Sequence, residues 1–238
     1  SSPESTALRS LWGILLTLFL IGVAVGGGGC TDGVPEGERS MFRADARRMG
    51  SYEPDSTSDG TELWRFKTGR QVRASATVAD STVFIGSFDD ALYALNSQTG
   101  AERWRFETGD DVFSTPAVFG GRVYVGSADR FVYALDAETG KVEWRFRTGG
   151  EGSASPAVVD DRVYVGSADS SVYALDMRTG EVEWRFEAEG GIVSSPAVAR
   201  GTVYVGGLHR HVYALNAETG AEQWRFEAED GIFSTPAV

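Results

Sequence analysis

The chain has 238 residues, with 34 acidic against 22 basic side chains and a net charge of −12. Such a field repels phosphate polyanions and excludes nucleic acid as a partner. A single cysteine, Cys30, excludes a disulfide framework, so a folded domain must be held by packing alone.

In chain order, the first feature is an uninterrupted apolar run over residues 11–25, preceded by Arg9 and followed by four glycines and Cys30. The run is shorter than the roughly 20 residues that span a bilayer comfortably, and its small-residue end reads as an export signal. Cys30 stands where a lipoprotein signal is cut and its new N-terminal cysteine acylated. The glycines at 27–29 depart from the usual cleavage box, which leaves a retained anchor as the alternative; spans of about 17 residues are tolerated. Either form places the rest of the chain outside the cytoplasm, at the outer face of the cytoplasmic membrane. Residues 1–30 are thus a signal peptide or membrane anchor. Residues 31–60, rich in Gly, Ser, Pro, Asp and Glu, are a flexible linker and entry segment.

Residues 61–238 rewrite one sentence. Trp64, Trp104, Trp144, Trp184 and Trp224 stand 40 residues apart, and one copy reads WRFETGDDVFSTPAVFGGRVYVGSADRFVYALDAETGKVE. Period-two alternation between turn signals predicts four strands in this unit, over residues 102–108, 113–119, 122–128 and 131–137. Glycine at the breaks would supply the positive φ of tight hairpins. Four short antiparallel strands per 40 residues is the arithmetic of a β-propeller blade, which buries its faces only by stacking on copies of itself. The small residues of STPAV suit an innermost strand, and Pro116 suits an edge. Trp-Arg-Phe suits an outer strand, where a large ring can wedge between diverging blades. The predicted fold is all-β, with four complete units and part of a fifth, an incomplete ring truncated at its C-terminus.

The stretches ALNSQTGAERW, ALDAETGKVEW, ALDMRTGEVEW and ALNAETGAEQW resemble the tryptophan-docking motif of pyrroloquinoline-quinone-type propeller repeats. The resemblance covers residues 64–238 and implies a docking role for the five tryptophans and for Thr99, Gly100, Thr139, Gly140, Thr179, Gly180, Thr219 and Gly220. It also implies seven or eight blades in a complete ring. WD repeats carry a Gly-His and a Trp-Asp pair that these units lack, and kelch blades are longer. Residues 41–54, MFRADARRMGSYEP, further resemble the entry segment of extracytoplasmic members, including BamB-type lipoproteins.

Quinoprotein dehydrogenases of this fold hold their cofactor, as the resemblance implies, under two adjacent bonded cysteines and against a calcium ion. One cysteine outside the repeats and no clustered acid and amide set argue against a cofactor here. Asp129 and Asp169 share one hairpin position and read as turn residues. His209 and His211, the only histidines, are i and i+2 and would share a strand face, which makes them weak metal candidates lacking a third ligand. No nucleophile elbow or phosphate-binding loop is present. The sequence therefore predicts a non-catalytic, membrane-tethered module that binds a protein or other extracytoplasmic ligand through its blade loops. The alternative is a fragment of a quinone-dependent dehydrogenase with its catalytic residues elsewhere. Lysine occurs only as Lys67 and Lys141. An acidic, arginine-based surface resembles proteins of salt-loving archaea, where salt screens self-repulsion; a GC-rich genome gives the same bias.

Overall fold

The computed structural model describes residues 62–152 and 154–238. The apolar run at 11–25, Cys30 and the linker at 31–60 lie outside the described residues. Among those described there is no helix long and apolar enough to cross a membrane.

Among the described residues, sixteen strands form four sheets of four. The first holds β1 (Thr77–Ala79), β2 (Thr82–Gly86), β3 (Ala91–Asn96) and β4 (Glu102–Glu107). The second holds β5 (Ala117–Phe119), β6 (Arg122–Gly126), β7 (Phe131–Asp136) and β8 (Val142–Arg147). The third holds β9 (Ala157–Val159), β10 (Arg162–Ser167), β11 (Ser171–Asp176) and β12 (Val182–Glu187). The fourth holds β13 (Ala197–Ala199), β14 (Thr202–Gly206), β15 (His211–Asn216) and β16 (Glu222–Glu227). Each sheet is an antiparallel meander in chain order, the topology of a propeller blade.

Blade and sequence unit are out of phase. The Trp-bearing segment that opens each unit is the fourth strand of the preceding sheet: Glu102–Glu107 pairs with β3, not with β5. The tight hairpin between β3 and β4 keeps the chain in one sheet, while residues 108–116 cross to the next. The first three strands of each meander are the remainder of the blade.

The innermost strand is shorter than expected, three residues in place of seven. Pro116 has no N–H to give a ladder, and its neighbours bond elsewhere. Ser114 Oγ donates to the Gly126 carbonyl at 3.0 Å and accepts from the Gly126 amide at 2.8 Å. The Thr115 amide donates to Ser155 Oγ on the next blade at 2.8 Å. The same bond recurs from Ser75 to Thr115 and from Ser155 to Ser195. A chain of hydroxyl bonds, one per 40 residues, thus links blade to blade where β1, β5, β9 and β13 lie against one another.

The middle strands are buried on both faces. In β3 and β11 the first five residues are all buried, because each blade is covered by a neighbour on either side and has no solvent face to alternate with. Alternation survives on outer strands such as β8 and β12, where exposed Glu143 and Arg145, or Glu183 and Arg185, flank a buried tryptophan. A bulge recurs opposite each tryptophan, between Ala94 and Leu95, Ala134 and Leu135, Ala174 and Leu175, and Ala214 and Leu215. Across the strands, Arg122 pairs with Glu143 and Arg162 with Glu183, whereas the fourth blade substitutes the neutral pair Thr202 and Gln223.

Glycine does not supply every positive φ. In the hairpins between β2 and β3, β6 and β7, β10 and β11, and β14 and β15 the left-handed residues are Asp90, Arg130, Ser170 and Arg210. The asparagine-like tolerance of Asp does not extend to Arg130, so those turns are held by their surroundings. Glycine is indispensable instead at Gly126, which closes VYVG and β6, where a Cβ would stand 2.4 Å from the Gly152 carbonyl oxygen of the loop passing over it.

Candidate functional site

The blade seams are the most regular sites on the molecule. Trp144 leaves β8 and lies on the third blade's hairpin: its Nε1 donates to the Met177 carbonyl at 3.0 Å. Its ring covers Gly180, whose φ is +72° and where a Cβ would stand 2.6 Å away. Trp64 bonds Ser97 and covers Gly100, Trp104 bonds Ala137 and covers Gly140, and Trp184 bonds Ala217 and covers Gly220. The threonines shape these seats. The amides of Thr99, Thr139, Thr179 and Thr219 donate to Asn96, Asp136, Asp176 and Asn216. The Thr139 hydroxyl, which donates to Asp136 Oδ1 at 2.6 Å, and then the Thr139 amide hold the Asp136 carboxyl below the ordinary range. Behind these two buried indoles stands a ring of the same blade: Tyr124 is 5.9 Å from Trp144 and Tyr164 is 5.8 Å from Trp184. Both tyrosine hydroxyls donate to the carbonyls their tryptophans use.

Trp144 and Trp184 are buried and Trp64 and Trp104 half-buried. Trp224 is placed differently. It keeps its partner Tyr204 at 5.9 Å, yet meets no hairpin glycine among the described residues and is 47 % exposed.

A second seam device escaped the sequence reading. Asp129 is a turn residue, with Oδ1 accepting from the Phe131 amide, but its Oδ2 accepts from Tyr133 Oη at 2.6 Å and from the Gly109 amide, which precedes its blade, at 2.8 Å. Asp169 does the same with Ser171, Tyr173 and Gly149. At Asp89 the bonds come from Tyr93 and Gly69, and its Oδ1 is buried without a partner. The signal was available as three residue types in fixed offset: Gly, an Asp 20 residues on, and a Tyr four beyond. Burial raises the Asp169 carboxyl, but the bonds from Tyr173 and Gly149 outweigh it and hold the group below the ordinary range. Burial and Asp89 push the Tyr93 phenol up to about 12.

A lowered carboxyl favours the folded state above its unfolded pKa of about 3.9, and that contribution is lost as pH falls through the folded value. Asp169→Asn should therefore cost about 1–2 kcal/mol at pH 7, and the difference from the parent protein should close below pH 4. Chemical denaturation at pH 7 and pH 3 checks this; an unchanged difference at both would assign the loss to shape alone.

The fourth blade breaks the pattern. His209 replaces the clasp aspartate and lies in the turn after β14, while His211 opens β15, so the two do not share a strand face. The seam is rebuilt around Glu189, whose amide donates to Tyr213 Oη at 3.3 Å and whose carboxylate meets Arg225 at 2.7 Å and His211 Nδ1 at 3.7 Å. The sequence reading found no carboxylate beside the histidines; the loop crossing from β12 supplies one. The three do not form a converging ligand set. Among the described residues, the one such group is Asp90, Asp110 and Asp111, with carboxylate oxygens within 4.8 Å of one another. Residues 108–116 fold over the seam onto the turn before β3 and so bring these three carboxylates together. Burial and the charges of Asp111 and Asp110 raise Asp90, and Arg70 already balances Asp111 at 3.2 Å.

These residues do not fit a quinone and calcium. Both asparagines of the chain, Asn96 and Asn216, are committed to hairpin amides, the only cysteine is Cys30, and hard cations of calcium's size take about 6–8 oxygens.

The seam geometry agrees with the family comparison. The profile described as "Beta-alanine-activating enzyme, beta-propeller" matches residues 55–238. The chain belongs to this propeller family. No curated protein matches it. Among solved structures, BamB from Moraxella catarrhalis is similar at 24 % identity and a TM-score of 0.65, covering 72 % of this chain and 57 % of that one. The quinohemoprotein alcohol dehydrogenase from Comamonas testosteroni is similar at 22 % identity and 0.70, covering 82 % and 41 %. The corresponding enzyme from Pseudomonas putida gives 21 % and 0.69, covering 80 % and 40 %. The chain spans about two fifths to under three fifths of these relatives. Likeness at this identity establishes the shared β-propeller fold.

Proposed function

We propose that this protein is a non-catalytic, extracytoplasmic binding or scaffold module, tethered to the membrane through Cys30 or its apolar segment. The observation that supports this reading is the distribution of constancy within the repeat. Trp64, Trp104, Trp144 and Trp184, the Thr-Gly pairs, the Asp and Tyr clasp and the axial hydroxyls are consumed by seams. Variation gathers on one rim, where residues 70–73, 110–113 and 189–193 lie beside the turns that follow β2, β6 and β14. There Arg70 and the three aspartates, or Glu189 with His211 and Arg225, give each seam a different polar face. Loops that differ on a constant frame are how scaffolds carry recognition, and proteins are the ligands such mixed-charge rims suit.

The rival reading, a quinone-dependent dehydrogenase, requires a ligand set that this chain does not supply. Adding pyrroloquinoline quinone and calcium should leave the melting temperature unchanged and give no alcohol oxidation, because binding to the folded state alone would raise stability by linkage. Micromolar binding by calorimetry would overturn the non-catalytic reading.

The tether has its own test. In the sequence Cys30 stands between an apolar run and a polar linker, where a lipoprotein signal would be cut. In a host with lipoprotein processing, the mature chain should begin at Cys30 with added acyl mass, two chains being needed for stable attachment. Retention of residues 11–25 with a free thiol means an anchor instead; a chain recovered intact from the cytoplasm sinks both forms.

A further inference from the structure

Each repeat places an arginine directly after its tryptophan, and one of these is left without an acceptor. Arg65 pairs with Glu62, Arg105 with Glu107 and Arg225 with Glu189. Arg185 donates from Nε to Ser171 Oγ at 2.9 Å. Arg145 has no hydrogen-bond or ion-pair partner among the described residues; its guanidinium lies over the Phe131 ring, 5.0 Å from the centroid. One substitution in the repeat is the cause. The position held by Ala91, Ser171 and His211 in the other blades is Phe131 here, so a ring takes the face of the cation where Ser171 offers an oxygen to Arg185. A ring attracts the charge but leaves the N–H edge of the guanidinium free.

That arginine lines a groove of about 810 Å³ between the first and second blades, where β4 diverges from β7 and β8. The walls are aromatic: Phe106 meets the Tyr133 ring edge-on at 5.1 Å, and Phe131 stands 5.8 Å from Tyr133. The carboxylates in the lining are already engaged. Asp129 accepts from Tyr133, Gly109 and Phe131, Glu143 pairs with Arg122, and Glu107 pairs with Arg105. One cation over an apolar floor is therefore unmatched, in a chain whose net charge is −12.

We propose that this groove binds an extended peptide of a partner protein in which an Asp or Glu stands two residues from an aromatic side chain. A carboxylate is the complement of a planar guanidinium with a free edge. Residues i and i+2 of an extended chain point the same way, about 7 Å apart, so that one reaches Arg145 while the other lies against Phe106 and Tyr133. Glu107 and Glu143 flank the groove and disfavour groups of greater negative charge, such as phosphate. Val142, Glu143 and Arg145 are exposed, which leaves the outer side open for a chain lying across it, whereas a small molecule would need enclosure. Binding on this flank is independent of the rim loops.

The test is fluorescence anisotropy with the 238-residue chain and a short labelled peptide of Gly and Ser carrying one Asp-Gly-Phe step. Saturable binding is expected. It should weaken by about tenfold or more when the Asp of the peptide becomes Asn, or when Arg145→Gln removes the charge, because a charge-assisted pair is lost. Phe131→Ser gives Arg145 the acceptor that Arg185 has and should weaken binding as much. Arg185→Gln, the same change at the satisfied position, should leave it unaltered. Arg145 is exposed, so the urea midpoint of Arg145→Gln should match that of the parent protein and the loss is not unfolding. No saturable binding up to millimolar peptide, or binding that survives both Arg145→Gln and Phe131→Ser, overturns the proposal. So does a benzoylphenylalanine placed at Val142 that cross-links to its own chain or to a second copy and excludes the peptide, since the groove is then filled by the protein itself.

Discussion

Trp144→Ala should destabilise the protein by about 3–5 kcal/mol, the usual cost of truncating a buried aromatic ring. The ring is 8 % exposed, and its removal has three consequences at one seam. The Met177 carbonyl loses an indole donor and keeps only the Tyr124 hydroxyl. Gly180 loses the surface that covers it, leaving a left-handed backbone exposed. Tyr124 loses its ring partner at 5.9 Å. Because blades interact only with their neighbours, loss of one seam weakens the coupling of everything on either side. Urea denaturation should then show a broadened or split transition as well as a lower midpoint. Trp224→Ala is the internal control: the same ring, exposed and without a seat, should cost far less. A melting shift near zero for Trp144 would show that the seams are not where stability resides.

The blade architecture was legible because 40-residue spacing of Trp64 to Trp224 admits few alternatives, and because Thr-Gly before Trp104, Trp144, Trp184 and Trp224 marks a hairpin. The phase of the blade was not legible. A perfect repeat has no intrinsic start, and whether Glu102–Glu107 pairs backward with β3 or forward with β5 depends on which connection is tight. Residues 97–100 make a compact hairpin, whereas 108–116 pass over a neighbour, and only the contacts reveal it. The strand predicted at 113–119 shrank to three residues for a related reason. Ser114 and Thr115 spend their bonds on Gly126 and Ser155, partners 12 and 40 residues away that no local pattern names.

The seam aspartates show the same division. Asp129 and Asp169 were read as turn residues, which is half of their role. Their other oxygen reaches back 20 residues to an amide at the end of the preceding blade, and a single-sequence reading that treats each hairpin alone cannot see it. The acidic group of Asp90, Asp110 and Asp111 arises likewise from two loops that meet only when blades stack. Residues within one strand or turn were therefore readable, and residues shared between blades were readable only where, as with tryptophan and glycine, the side chain is too large or too small to suit any other place. Of the candidate site, the docking set was visible in this way. The rim that differs from blade to blade was not, because variation has no spacing to detect.

Gly180→Ala tests whether indole and glycine act as one unit. The substitution puts a Cβ 2.6 Å from the Trp144 ring at a φ of +72°. Left-handed backbone costs an L-residue about 1–2 kcal/mol, and forcing a methyl into a filled contact adds about 1–3 kcal/mol, so a total of roughly 2–5 kcal/mol is expected in the parent protein. In a Trp144→Ala background the methyl meets a void, and only the backbone contribution of about 1–2 kcal/mol should remain. The double-mutant cycle measures the difference directly, since residues in contact depart from additivity while separate ones do not. A coupling of about 1–3 kcal/mol, with the double variant more stable than the sum of the single losses, is the expected result. Additive losses would mean that the glycine serves its own turn alone, and that Trp144 gains its stability from Tyr124 and the Met177 carbonyl without needing the bare backbone beneath it.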